Sequence, residues 1–301
     1  MPVVFLRRRS LVGLVAVVAL VSCREPARAP AAELRDDFGN AISLGGPPSR
    51  IVSLNPTTTE ILFTIGAGRR VVGRTHYDLF PDSAALVPDL GPGIRPNVEA
   101  VLGTTPDLVI LYASTDNKSA ADRLRQAGIS VVGFKIDRIE QFQQVTRLLG
   151  RLTGDSVRAA IVVDSVTTTL ARVRTATTGL PRPTVFIHGW DNPVIAITGG
   201  SFMTELLEIA GGRNIYDSIP GPSAAVALED VVRRDPQFVL AHPTTAARMR
   251  GSAAWRTVRA VREGRVLVYD SNLVARPSVQ LGAAARSFAE LLHPGVVKDP
   301  R

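Results

Sequence analysis

One phrase occurs twice in this chain, and its recurrence limits the possible folds more than any other feature. The first copy is VEAVLGTTPDLVIL, residues 98–111, and the second is LEDVVRRDPQFVLA, residues 228–241. In each copy a glutamate, Glu99 or Glu229, opens a short amphipathic helix. A proline, Pro106 or Pro236, follows it by seven residues. Proline forbids helix beyond that point, and the apolar run after it reads as a buried strand. A second phrase recurs in the same order: Thr59-Glu60-Ile61-Leu62 with Gly66-Ala67-Gly68-Arg69, then Thr204-Glu205-Leu206-Leu207 with Gly211-Gly212-Arg213. Two phrases repeated in order predict two similar α/β lobes with a ligand cleft between them.

A chain of 301 residues is long enough for two such lobes. Its beginning is of another kind. Arg7, Arg8 and Arg9 precede an apolar run at residues 11–21. A bilayer span needs ~20 apolar residues, so this shorter run reads as a signal segment. It ends in Leu20-Val21-Ser22-Cys23, which resembles the lipobox of bacterial lipoproteins, and Cys23 is the only cysteine. That resemblance implies cleavage before Cys23 and lipid on its sulfur. It leaves the mature chain without a disulfide or a thiolate metal site. Residues 24–32, rich in proline and alanine, read as a tether. The expected product is exported, periplasmic and lipid-anchored to a membrane. An exported chain has little access to ATP or NAD(P)H, and no phosphate-binding glycine loop is present. The formal charge of +8 includes the three leader arginines, and the remaining arginines are scattered, so no nucleic-acid surface is expected.

The rest alternates strand and helix. Expected strands are 51–54, 71–73, 108–111 and 131–134, with a helix from Pro56 whose Thr57 and Glu60 fit a capping box. Residues 139–177 show helical spacing interrupted at Gly154, and a helix over 155–177 would be about 35 Å long. Further strands are expected at 184–188, 194–197, 238–241 and 266–269, and helices at 202–210 (capped by Ser201) and 278–292. The domain reading is a signal peptide (1–22), a linker and start of lobe (23–47), an N-terminal lobe (48–152), a connecting long helix (153–180) and a C-terminal lobe (181–301). The fold class is α/β, with two Rossmann-like lobes of mostly parallel sheet joined by one long helix.

Ligands of open parallel sheets gather beyond the carboxyl ends of the strands. Only 5% of residues are aromatic, yet Tyr77, Tyr112 and Trp190 all fall at such ends. Rings with one polar edge suit a flat, partly polar ligand. Asp270 and Arg276 follow later strands. Glu99 and Glu229 sit where a helix dipole favours carboxylates, and their equivalent placement on two lobes suits a partner with two basic sockets. His76, His188 and His242 follow three different strands but lack ligand spacing, so no metal site is expected. No serine sits in G-x-S-x-G, which leaves a secreted hydrolase as the alternative from another class.

Together, Asn55-Pro56-Thr57 with Glu60, Gly66-Ala67-Gly68, Asn97-Val98-Glu99 with Pro106-Asp107-Leu108-Val109, Gly211-Gly212-Arg213-Asn214 and Arg276-Pro277 resemble the substrate-binding proteins of iron-siderophore, haem and cobalamin ABC importers. The resemblance covers residues 48–293. It implies a non-enzymatic monomer with no cofactor of its own. Such a protein captures a metal chelate and hands it to a permease dimer whose arginines meet Glu99 and Glu229. The nearest pattern is the cobalamin binder: Tyr77, Tyr112 and Asp270 match pocket positions, and Trp190 lies in a loop that supplies another ring. The chain departs at Gly93, where that pattern has tryptophan, and near Ser223, where it has a second aromatic. Haem and ferric siderophores therefore stay open as ligands, and Arg276 is a candidate partner for a carboxylate of either.

Overall fold

The computed structural model describes residues 1–3, 34–43 and 45–297. The leader, Cys23 and the tether lie outside the described residues. From Leu34 onward the chain forms one unit.

The first sheet contains β1 (Ile51–Leu54), β2 (Val71–Gly73), β3 (Leu108–Tyr112) and β4 (Ser130–Phe134) in the order β2-β1-β3-β4, all parallel. Parallel neighbours need crossovers. Helices α1 (Pro56–Thr64), α2 (Val98–Gly103) and α3 (Thr115–Gln126) supply them. All four residues of β1 are buried, as a strand covered on both faces requires. Helix α1 is not closed by the expected capping box. Asn55 is its N-cap, accepting from the Thr57 amide, which leaves the Glu60 side chain free for another role.

Two helices follow, α4 (Ile139–Thr153) and α5 (Ser156–Thr177), separated by Gly154 in the left-handed region at φ 80°. Next come β5 (Thr184–Trp190), β6 (Ile195–Ile197), α6 (Phe202–Ile209), β7 (Arg213–Asn214), β8 (Ser223–Ala225), α7 (Leu228–Arg234), β9 (Phe238–Ala241), α8 (Pro243–Gly251), α9 (Arg259–Arg262), β10 (Val266–Val268), α10 (Ser271–Val274) and α11 (Leu281–Leu292). The second sheet runs β10-β9-β5-β6-β8, with β7 also beside β5. It is mixed. β5, β7, β9 and β10 are parallel, while β6 pairs antiparallel with both β5 and β8. The loop between β5 and β6 is too short for a crossover, so β6 has to turn back along β5.

The repeat holds down to the backbone. Thr105 and Asp235, the residues before the two prolines, are both left-handed, at φ 47° and 45°. After each proline, the next amide donates to a carbonyl at the start of the first strand of its own lobe: Asp107 to Arg50, just before β1, and Gln237 to Thr184, the first residue of β5, both at 2.9 Å. Gly66 and Gly211 end their helices with positive φ in the same way.

The largest apolar cluster is not confined to one lobe. It runs from Ile51 and Ile110 through Phe142, Leu149 and Val166 to Leu206, Leu240 and Phe288. Thus α5 packs on α4 on one side and on α6 and α11 on the other, making a shared spine behind the two sheets. Two smaller clusters, around Val109 and around Phe186, belong to single lobes.

Candidate functional site

Between the lobes lies a cavity of about 860 Å³. The first lobe contributes Asn55 and Thr57 just past β1, Tyr77 past β2, Tyr112 at the end of β3 and Asp137 past β4. The second contributes Ser201 and Phe202 at the start of α6, Asn272 in α10, and Arg276. The first-lobe residues follow the carboxyl ends of parallel strands, where the sheet leaves its side chains unpaired.

The walls are apolar with a few fixed polar groups. Tyr77 is 56% exposed and stacks edge-on against His76, while Leu79 is 65% exposed beside it. Phe80 completes this apolar lip. The Tyr112 hydroxyl donates to Asp137 Oδ1 at 3.0 Å. Burial, reinforced by the Asp137 charge, pushes the Tyr112 phenol well above its ordinary pKa, so it stays a neutral donor.

Arg276 is held from below. Its Nε and Nη2 both donate to Oε1 of Glu60, whose side chain is fully buried. Asp78 is a second fully buried carboxylate close to this pair, with its Oδ2 accepting from the Thr75 amide. Burial raises the pKa of Glu60, partly offset by Arg276, and burial raises that of Asp78, partly offset by the Thr75 amide. Among the described residues, Glu60 Oε2, Asp78 Oδ1 and Asn55 Nδ2 have no partner within hydrogen-bonding distance, although the Ser278 side chain lies near Glu60.

A matching cross-lobe contact uses the second copy of the same phrase. Glu205 on α6 takes Arg138 at 2.7 Å and the Ile139 amide at 2.8 Å, at the entry to α4. The equivalent glutamates Glu60 and Glu205 therefore each bind an arginine across the lobe boundary.

Of the residues read from sequence as ligand-binding, Tyr77, Tyr112 and Arg276 line the cavity together. Trp190 and Asp270 are not among the lining residues: Trp190 ends β5 at 69% exposed, and Asp270 caps α10 by accepting from the Asn272 amide. Glu99 and Glu229 are the second residues of α2 and α7, both exposed, and neither carboxylate has an ionic partner among the described residues. The three histidines have separate partners: His76 with Tyr77, His188 with Asp191, and His242 with Thr244. Among the described residues no group of three or more metal-ligating side chains occurs. Sequence reasoning missed Leu79 and Phe80; it placed Asp78 beside Tyr77 at a strand end and gave Glu60 only a capping role. The signal for Glu60 was its equivalence to Glu205, which a capping role for Glu60 alone leaves unexplained.

A family model described as periplasmic binding protein matches residues 51–273. The chain belongs to the periplasmic binding protein family. Among similar members, an uncharacterized ABC transporter substrate-binding lipoprotein of Bacillus subtilis (strain 168) is 27% identical, covering 95% of this chain and 96% of the relative. A cobalamin-binding protein of Halobacterium salinarum is 29% identical, covering 86% of this chain and 73% of the relative. The crystal structure of the periplasmic vitamin B12 binding protein of Vibrio cholerae superposes with a TM-score of 0.71 at 22% identity, covering 82% of this chain and 97% of that one, which shows the same two-lobe fold.

Proposed function

We propose that this periplasmic binding protein is a lipid-anchored receptor that captures a metal chelate, cobalamin foremost, and delivers it to an ABC importer. The observation that supports this most is the interlobe cleft. Its volume is in the range of small-molecule sites, its walls are apolar and aromatic, and its polar groups are few and fixed. The cobalamin-binding relative favours a corrinoid. A second reading, haem or a ferric siderophore, is favoured by Tyr77, whose exposed phenol at the lip has the oxygen chemistry of a ferric-iron ligand. Binding rather than catalysis suits the site, because Tyr112 and Arg276 are occupied with Asp137 and Glu60 and offer no activated nucleophile.

A thermal-shift panel with cyanocobalamin, haem and several ferric siderophores tests the reading. A ligand in large excess over its Kd stabilises by a few kcal/mol, so one member of the panel should raise Tm by several degrees. No shift with any member refutes it.

The exposed carboxylates of Glu99 and Glu229, equivalent on the two lobes, are the docking points for two basic sockets of a permease dimer. Charge reversal of both to arginine should abolish uptake while ligand affinity stays unchanged. Replacing Cys23 by serine should move the protein from the membrane fraction to the soluble one.

A further inference from the structure

The cleft carries almost no free charge. Of the residues that line it, only Arg276 and Asp137 are ionisable as cation or carboxylate. Asp137 is engaged by the Tyr112 hydroxyl at 3.0 Å and faces Lys135 Nζ at 3.6 Å. Arg276 is engaged by Glu60, which is fully buried and has no other ionic partner among the described residues. Asp78 adds a second buried carboxylate behind the same guanidinium. Glu60 therefore stands directly against the one arginine at the floor, and that pair presents no net positive charge to a ligand.

A ligand carboxylate that reached the remaining N–H groups of Arg276 would meet a cation already balanced by Glu60, and to take the Nε and Nη2 donors it would have to draw the guanidinium away from Glu60. That would strand a buried carboxylate whose Oε2 already lacks a partner. Stranding a buried charge is among the largest single penalties in a protein interior. An amide meets no such obstacle. Asn55, Ser201, Asn272 and Gln280 line the cleft with neutral polar side chains that can bond an amide without displacing a charge.

We propose that Glu60 is a specificity-determining residue: by cancelling Arg276 it makes the cleft select chelates with uncharged, amide-bearing edges and reject those with carboxylate edges. The inference rests on the reading of the cleft as a chelate site and goes beyond it in fixing the class of chelate.

The test titrates two corrins that share one ring, dicyanocobinamide with amide arms and dicyanocobyrinic acid with carboxylate arms, into the wild-type protein and three variants. Wild type should prefer the amide corrin by about tenfold or more, the scale of one mismatched charge. Glu60→Gln should shrink that preference by about tenfold, because it frees Arg276 for a carboxylate. Arg276→Gln should widen it, and Glu60→Gln with Arg276→Met should restore it. Should Glu60→Gln fail to fold, the widening in Arg276→Gln decides the question. Equal affinities in wild type, or a ratio that no variant moves, overturns the inference while leaving the receptor reading intact. If neither corrin binds, the cobalamin reading falls, and haem against its bis-amide decides the inference by the same criteria. No binding by either pair overturns both.

Discussion

Glu60 and Arg276 are separated by most of the chain, yet they form the ion pair on which the cleft floor rests. Breaking a buried pair from one side leaves an uncompensated charge and costs on the order of 3 kcal/mol. Glu60→Gln should therefore lower the stability measured by urea unfolding by about that amount, and adding Arg276→Met should recover most of it. A double change no more stable than the single one would show that the pair is not what the site costs. His188 gives a pH prediction of its own. It is buried between Phe186 and Trp255, and burial holds its pKa below the ordinary 6.5 despite Asp191. The folded state thus binds fewer protons than the unfolded one as pH falls. Its stabilising contribution is complete above the unfolded value and is lost as pH drops below 6.5 toward the folded pKa. The fall in Tm on acidification from about 7.5 to 5.5 should be shallower in His188→Gln than in wild type, whatever the absolute Tm of the variant.

At the scale of elements, the crossing of α4 and α5 depends on Gly150. A Cβ there would lie 2.4 Å from that of Ala159, so the two helices meet backbone to side chain with no room between them. Gly150→Val should destabilise by about 1–3 kcal/mol through overpacking, read as a lower urea midpoint. The long helices and central strands were legible in the sequence because their apolar spacing is strong. Residues 139–153 keep helical spacing, while 51–54, 108–111 and 238–241 are mostly apolar runs flanked by prolines. The short pieces were not. β7, β8, α9 and α10 are two to four residues long, too short for any periodicity, and tertiary pairing alone defines them. α8 did leave a signal in His242-Pro243, its cap and first residue, which a strand ending there obscured. The site was legible only by position. Strand ends located Tyr77 and Tyr112, but which strand-end side chains turn into the cleft depends on loop geometry, and Trp190 and Asp270 show how that geometry varies. Gly93 is a further case. It sits at φ 77°, and a Cβ there would lie 2.7 Å from both the Leu54 carbonyl oxygen and Thr75 Cγ2, so no side chain fits there without a shift of its neighbours.

At the scale of the molecule, the apolar spine that joins the lobes limits how far they can part. Its residues on α4, α5, α6 and α11 would have to separate for the cleft to open widely. The radius of gyration from solution scattering should therefore change by less than about 1 Å when ligand saturates the protein. The pair Glu205–Arg138 at the entry to α4 and the pair Glu60–Arg276 at the floor hold the same spacing from two points. A cleft of fixed width, lined by rings and amides, should recognise a rigid planar chelate without rearrangement. Isothermal titration of cyanocobalamin into the protein tests this claim most directly. The account predicts saturable one-to-one binding that weakens at least about tenfold when Tyr112 is changed to alanine, the loss expected for a central aromatic contact. Cyanocobalamin that gives no saturable heat, or binds unchanged in the Tyr112→Ala variant, would contradict it.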